Sequence, residues 1–221
     1  MITNVEIYNN HIRQTKELSL TSKGLEDKIK QYPYRGENRV VDDSVENMLL
    51  PPIALVFYSL LYEYNDVPSP DDLVETYFDQ PYFAFIPDNK VEVAYNGTST
   101  VCDIESIVAR VLRTYPSLLR DLHFYIMASE FNHFNAVRYS FKKDYEEKVD
   151  IQVLYRDKWY SIGLLLQSRR SLWYKIKKQF RHKPKDVIYI ELSEQECKRV
   201  GDYMLYTEQH IQQLHKQLCK L

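Results

Sequence analysis

Residues 169–183 read Arg-Arg-Ser-Leu-Trp-Tyr-Lys-Ile-Lys-Lys-Gln-Phe-Arg-His-Lys. The run carries seven formal positive charges, on Arg169, Arg170, Lys175, Lys177, Lys178, Arg181 and Lys183, and no acid. The spacing predicts a helix over 171–180. Leu172, Ile176 and Phe180 recur at four-residue intervals as a buried stripe, and the cations spread over the other faces. Lys and Arg set out this way attract phosphates without reading sequence, an attraction that salt weakens steeply. Trp173 and Tyr174 are of the type that stacks on bases. A charge run also serves as a plain solvated face, but the complete absence of acids here favours nucleic acid, DNA above all.

A second polar set surrounds Tyr115-Pro116: Arg110, Arg113, Ser117, Arg120 and Asp121. Arg113, Ser117 and Arg120 can present donors to a phosphate, for which the planar guanidinium fork is suited. The same arginines can instead pair with Asp103, Glu105 and Asp121 as ordinary ion pairs on a helix surface. Several familiar chemistries find no support. There is no Walker loop, GxGxxG or GxSxG, and five glycines leave few phosphate cradles to build. The six histidines (His11, His123, His133, His182, His210 and His215) lack metal-ligand spacing.

The elements that must position these groups follow from local pattern. The first 45 residues are polar and weakly periodic, which predicts irregular structure with one short helix. Residues 48–64 read as a buried helix with Pro51 and Pro52 near its start, where a missing amide costs least. Ser69-Pro70-Asp71-Asp72 is a helix start: Ser69 caps, Pro70 suits the first turn, and the acids oppose the positive helix end. Residues 91–95 and 98–101 flank Asn96-Gly97 as a hairpin. Two helices are expected over 103–113 and 116–130, interrupted at Tyr115-Pro116. Strands follow at 136–142, 149–155 and 158–167, the last apolar enough in its second half to be buried on both faces. A strand at 187–191 precedes a last helix, opened by a capping box of Ser193 and Glu196.

Helix, three strands, helix, strand is also the element order of a known core. The stretch Val149-Asp150-Ile-Gln-Val-Leu-Tyr-Arg-Asp-Lys-Trp-Tyr-Ser-Ile-Gly163 carries the likeness. It resembles the PD-(D/E)XK nuclease-like superfamily over residues 104–192. Active members have an Asp opening one strand, a short turn, and a strand reading Ile-Glu-x-Lys. The resemblance implies metal-dependent phosphodiester hydrolysis: carboxylates of adjacent strands hold Mg²⁺ or Mn²⁺, and the Lys helps position the nucleophile. It makes Asp150 the metal-binding carboxylate, with Glu130 and Asp144 as the acids that complete the site. The motif is degenerate, because the acidic position falls on Gly163 and the lysine position on Leu165. Gln167 and Arg169 stand as a displaced second motif; equally, they simply end the strand and begin the basic helix.

Composition bounds the rest. At 221 residues, with 44% hydrophobic and 27% charged content, the chain has the makeup of a globular protein. Nineteen tyrosines fit packing better than a binding surface. Residues 1–100 carry 8 Lys+Arg against 16 Asp+Glu, whereas residues 101–221 carry 21 against 15. An acidic half and a basic half suggest separate roles, or an acidic segment lying on the basic one. Cys102, Cys197 and Cys219 are widely spaced and read as free thiols. The first residues lack a signal-peptide pattern and no apolar run reaches membrane length, so the expectation is a cytoplasmic protein without membrane contact. The expected class is α/β (α+β): an αβββαβ nuclease-like core with a central mixed sheet in residues 103–221, followed by a C-terminal helix. A mainly helical region, 1–102, precedes it. The expected function is a nucleic-acid-binding protein with a divergent nuclease-like domain. The alternative is a non-enzymatic module that keeps the fold and holds a protein partner through its helical N-terminal region.

Overall fold

A computed structural model describes residues 3–9, 12–36, 41–147, 149–167 and 187–221, with side chains described from residue 18 onward. The chain divides into two compact units: Met1–Ile29 together with Arg120–Leu221, and Lys30–Leu119. The expected boundary at 102/103 is thus replaced by a discontinuous first unit. Both helices and sheets are present, in an α+β arrangement.

The unit Lys30–Leu119 holds α2 (Asp43–Asn47), α3 (Ile53–Tyr64), α4 (Pro70–Phe78), β3 (Phe83–Ile86), β4 (Lys90–Tyr95), β5 (Thr98–Asp103) and the start of α5 (Ile104–Glu130). The helix expected at 48–64 starts only at Ile53, with Pro52 as its N-cap, because residues before the two prolines cannot stay helical. Asn65 closes it in the left-handed region, φ 51°. α4 begins as expected: the Ser69 hydroxyl accepts the Asp72 amide at 3.1 Å, and the Asp72 carboxylate accepts the Ser69 amide at 3.0 Å. β3, β4 and β5 form an antiparallel meander, and Asn96 and Gly97, both at positive φ, make the tight turn. Buried Tyr77 and Tyr115 donate to the carbonyls of Pro51 and Pro68, each at 2.7 Å. That is how this chain uses its tyrosines: a large apolar body with a hydroxyl that satisfies a buried carbonyl.

The discontinuous unit opens with an antiparallel hairpin, β1 (Thr3–Asn9) and β2 (Ile12–Leu18), followed by α1 (Ser22–Ile29). This hairpin and strand β3 join the helices α1–α4 and the expected β4–β5 hairpin in 1–102. Short strands of mixed polarity leave too little periodicity to show in sequence. After α5 come β6 (Ala136–Arg138), a π-helical turn (Lys143–Glu147), β7 (Ile151–Tyr155), β8 (Lys158–Leu166) and β9 (Val187–Leu192). They form one mixed sheet in the order β6-β7-β8-β9, with β8 and β9 parallel and the other pairs antiparallel. Arg156 and Asp157, both at positive φ, turn β7 into β8. Ile151, Val153, Ile162, Leu164, Ile190 and Leu192 supply the buried positions of this sheet. The helix expected at 171–180 lies outside the described residues.

Three further expectations change. The two helices expected around Pro116 are the single helix α5, 27 residues long. Proline removes one donor, but Val111, Leu112, Tyr115, Leu118, Leu119 and Leu122 are buried on both sides of it. Their burial outweighs the roughly 3 kcal/mol cost of an interior proline. The strand expected at 136–142 stops at Arg138. The Ser193–Glu196 box forms, with the Glu196 amide donating to Ser193 Oγ at 3.3 Å. It opens a turn before a hairpin, β10 (Lys198–Val200) and β11 (Tyr203–Leu205), rather than the last helix. That helix, α6 (Glu208–Leu218), is instead capped by His210, whose Nδ1 accepts the Thr207 amide at 3.1 Å. The three cysteines are free thiols. Among the described residues no helix is long and apolar enough to cross a membrane.

Candidate functional site

Asp150 sits one residue before β7, beside the centre of β8. Its amide donates to Ile162 O at 3.0 Å and its carboxylate accepts the Leu164 amide. The sequence places it there because Val149, Ile151 and Val153 are buried and the intervening residues face the other way. An aspartate bracing a neighbouring strand through its backbone is held firmly.

Asp150 acts electrostatically on Asp121, one turn into the second half of α5. The Asp121 carboxyl is pushed well above the usual range by desolvation first and by the negative charge of Asp150 second. Arg120 opposes this and Asp144 adds to it. Part of Asp121 still reaches solvent, but its carboxyl lies deep in the unit. The buried Tyr206 hydroxyl is raised too, by burial first and by Asp121 next. The negative charges of Asp150 and Asp144 and the burial of the Asp121 carboxyl thus act in the same direction, against its ionised form. Sequence reasoning put Asp121 among the partners of the arginines and missed its coupling to Asp150. The available signal was an aspartate set inside the apolar series Leu118, Leu119, Leu122 and Tyr125.

The other expected metal ligands make hydrogen bonds within the protein. Glu130 accepts from the Ser22 amide at 2.7 Å and from the Ser22 hydroxyl, so it supplies the anion at the N-terminus of α1. Asp144 accepts the Tyr139 hydroxyl at 3.0 Å. Gln167, expected as a displaced catalytic residue, donates to Glu191 on the neighbouring strand. Among the described residues no group of three or more His, Cys, Asp or Glu is arranged to hold a metal ion.

The second-motif position has a physical obstacle. Gly163 on β8 pairs with Tyr189 on β9. A Cβ at Gly163 would lie 2.6 Å from Cδ1 and Cε1 of the Tyr189 ring. Glycine is present there because the ring occupies the space a side chain would need.

The expected phosphate donors are likewise committed inside the fold. Arg113 pairs with Glu46, and Ser117 Oγ donates to Thr114 O at 2.7 Å. Arg110 donates to the carbonyls of Val45 and Met48. Arg120, only 8% exposed, donates through Nε to Met204 O at 3.1 Å. Arg113 and Ser117 belong to one compact unit and Arg120 to the other. Arg169, Arg170, Lys175, Lys177, Lys178 and Arg181 lie outside the described residues.

On the same face of the mixed sheet as Gly163 runs a ladder of polar contacts. Arg138 Nε donates to Gln152 Oε1 at 2.9 Å, and Gln152 Nε2 donates to Ser161 Oγ at 3.3 Å. The Arg138 guanidinium lies 4.0 Å above the centre of the Trp159 ring. No family model matches this chain, and no curated protein or solved structure matches it either.

Proposed function

We propose that this protein binds nucleic acid, DNA above all, through the basic run 169–183, on a restriction-endonuclease-like unit that has lost metal-dependent cleavage. The observation that carries the reading is the run itself: seven Lys and Arg without one acid, in the segment that joins the parallel strands β8 and β9. Such a density of cations is an electrostatic footprint for phosphates. The polar face of Arg138, Gln152, Ser161 and Trp159 supports it, since a guanidinium stacked on an indole can present donors and an aromatic surface together. Loss of cutting is supported by Gly163: a side chain there would meet the Tyr189 ring at 2.6 Å, so the second carboxylate of the motif fits only if that ring moves. Asp150 then serves as a brace between strands rather than as a metal ligand.

Fluorescence anisotropy with labelled duplex DNA and single-stranded RNA tests this. Lys177→Glu with Lys178→Glu should weaken binding to every sequence and flatten the dependence of log K on log salt by about 2. Binding that ignores both salt and this double substitution refutes the reading and leaves a protein-binding module in its place. The same DNA should survive incubation with Mg²⁺ or Mn²⁺. Cleavage that Asp150→Ala abolishes would restore the catalytic version, with Asp150 and Asp121 as metal ligands.

A further inference from the structure

A second group of ionisable residues lies in the discontinuous unit, and the nucleic-acid reading makes no use of it. Glu26 on α1 and His123 on α5 are buried, at 6% and 1% exposure. Their side chains meet, His123 Nε2 to Glu26 Oε1, at 3.2 Å. Into this pair reaches Lys198 from β10: its Nζ lies 2.6 and 2.8 Å from the two Glu26 oxygens. Burial alone would raise the Glu26 carboxyl, yet the hydrogen bonds from Lys198 and His123 prevail and hold it below the usual range. Glu26 is therefore a buried anion whose main counter-ion is a lysine with a side chain 48% exposed.

These groups line a cavity of about 750 Å³, with Met127, Phe131 and Tyr206 among its walls. That is within the usual size of a small-molecule site. Two more acids, Glu130 and Glu208, line it as well, whereas its second lysine, Lys23, is paired with Asp27 at 3.1 Å. His123 Nδ1 is buried and has no hydrogen-bond partner among the described residues. A buried polar atom without a protein partner is uncommon.

We propose that this cavity binds a primary-ammonium ligand, a lysine-like alkylamine, whose position on Glu26 is filled in the free protein by Lys198. Three features point to that class. One nitrogen sits between both carboxylate oxygens, the contact a compact ammonium makes and a planar guanidinium does not. Lys198 is long, flexible and half in solvent, so it can swing out once another cation takes its place on Glu26. An alkyl stem would lie along Met127, Phe131 and Tyr206, and the surplus of acids on the walls repels anions.

The test uses the full chain and n-butylammonium, with sodium butyrate and sodium chloride at equal ionic strength as controls. In the wild-type protein, titration should move the His123 ring resonances saturably; butyrate should leave them in place. Lys198→Ala empties the place on Glu26 and should bind n-butylammonium about tenfold more tightly than wild type by calorimetry. Adding Glu26→Gln to Lys198→Ala should remove that binding. Lys198→Gln, which keeps a hydrogen-bond donor, carries the comparison where Lys198→Ala does not fold. Cadaverine and a lysine-containing peptide then separate a free amine from a protein side chain as the source. No movement of the His123 signals in wild type, or equal amine binding with Glu26→Gln in place, overturns the proposal.

Discussion

Gly163→Ala puts the packing of β8 against β9 to a direct test. The added methyl would stand 2.6 Å from two carbons of the Tyr189 ring and 3.4 Å from Val187 Cγ1. Carbon atoms prefer about 3.5–4.0 Å, so the ring contact falls short by about 1 Å. Overpacking of this kind costs about 1–3 kcal/mol. Alanine recovers about 0.5–1 kcal/mol over glycine within a strand by restricting the unfolded chain. The net expectation runs from about zero to a loss of about 2.5 kcal/mol. Tyr189 is 40% exposed, so its ring has somewhere to go, which places the result in the lower half of that range. Urea unfolding of Gly163→Ala, Tyr189→Ala and the double variant isolates the clash as a coupling energy. With the ring gone the methyl should be tolerated, and the two single losses should exceed the double by about 1 kcal/mol or more. A stabilising Gly163→Ala, or strict additivity, would refute the account of why the second motif is missing.

Other consequences can be measured as well. Asp121 holds its proton more tightly when folded, so its contribution to stability is present at low pH and is lost as pH rises towards its folded value. Asp121→Asn should therefore raise the melting temperature at pH 7 and flatten the fall between acid and neutral pH; an unchanged pH profile would contradict the coupling. Glu130→Ala removes the anion at the start of α1 and should cost about 1–2 kcal/mol, with faster amide exchange in that helix. Adding Mg²⁺ to wild type or variant should change neither value, since a cap, unlike a ligand, has no cation to lose. Ser69→Ala breaks the reciprocal cap of α4 and should lower stability by about 1 kcal/mol at unchanged m-value.

Local rules carried much of this fold and little of its site. Ser69-Pro70-Asp71-Asp72 and Asn96-Gly97 each encode a backbone conformation within a few residues, and both form where their pattern indicates. The strands around Arg156-Asp157 were legible for the same reason. Pro116 was misread because the rule that proline ends a helix is local, while the burial of Tyr115, Leu119 and Leu122 is a property of the whole. Ser193 and Glu196 make their contacts faithfully, but a cap can close a turn as well as open a helix. The site suffered most. Glu130 meets Ser22 across 108 residues of sequence, and Glu26 meets Lys198 across 172. No spacing rule reaches that far, and the coupling of Asp121 to Asp150 exists only once α5 and β7 share one unit.

The broken course of that unit also sets a timetable. The segment that carries α1 is made before the rest of its unit, and the lysine that neutralises Glu26 is 172 positions behind it. At typical synthesis rates that is a delay of roughly ten to thirty seconds. Within it Glu130 comes first, 108 positions after Ser22, and Lys198 last, while Lys30–Leu119 can already complete its own contacts. The hairpin β1–β2 and α1 thus wait for partners that the chain supplies only much later.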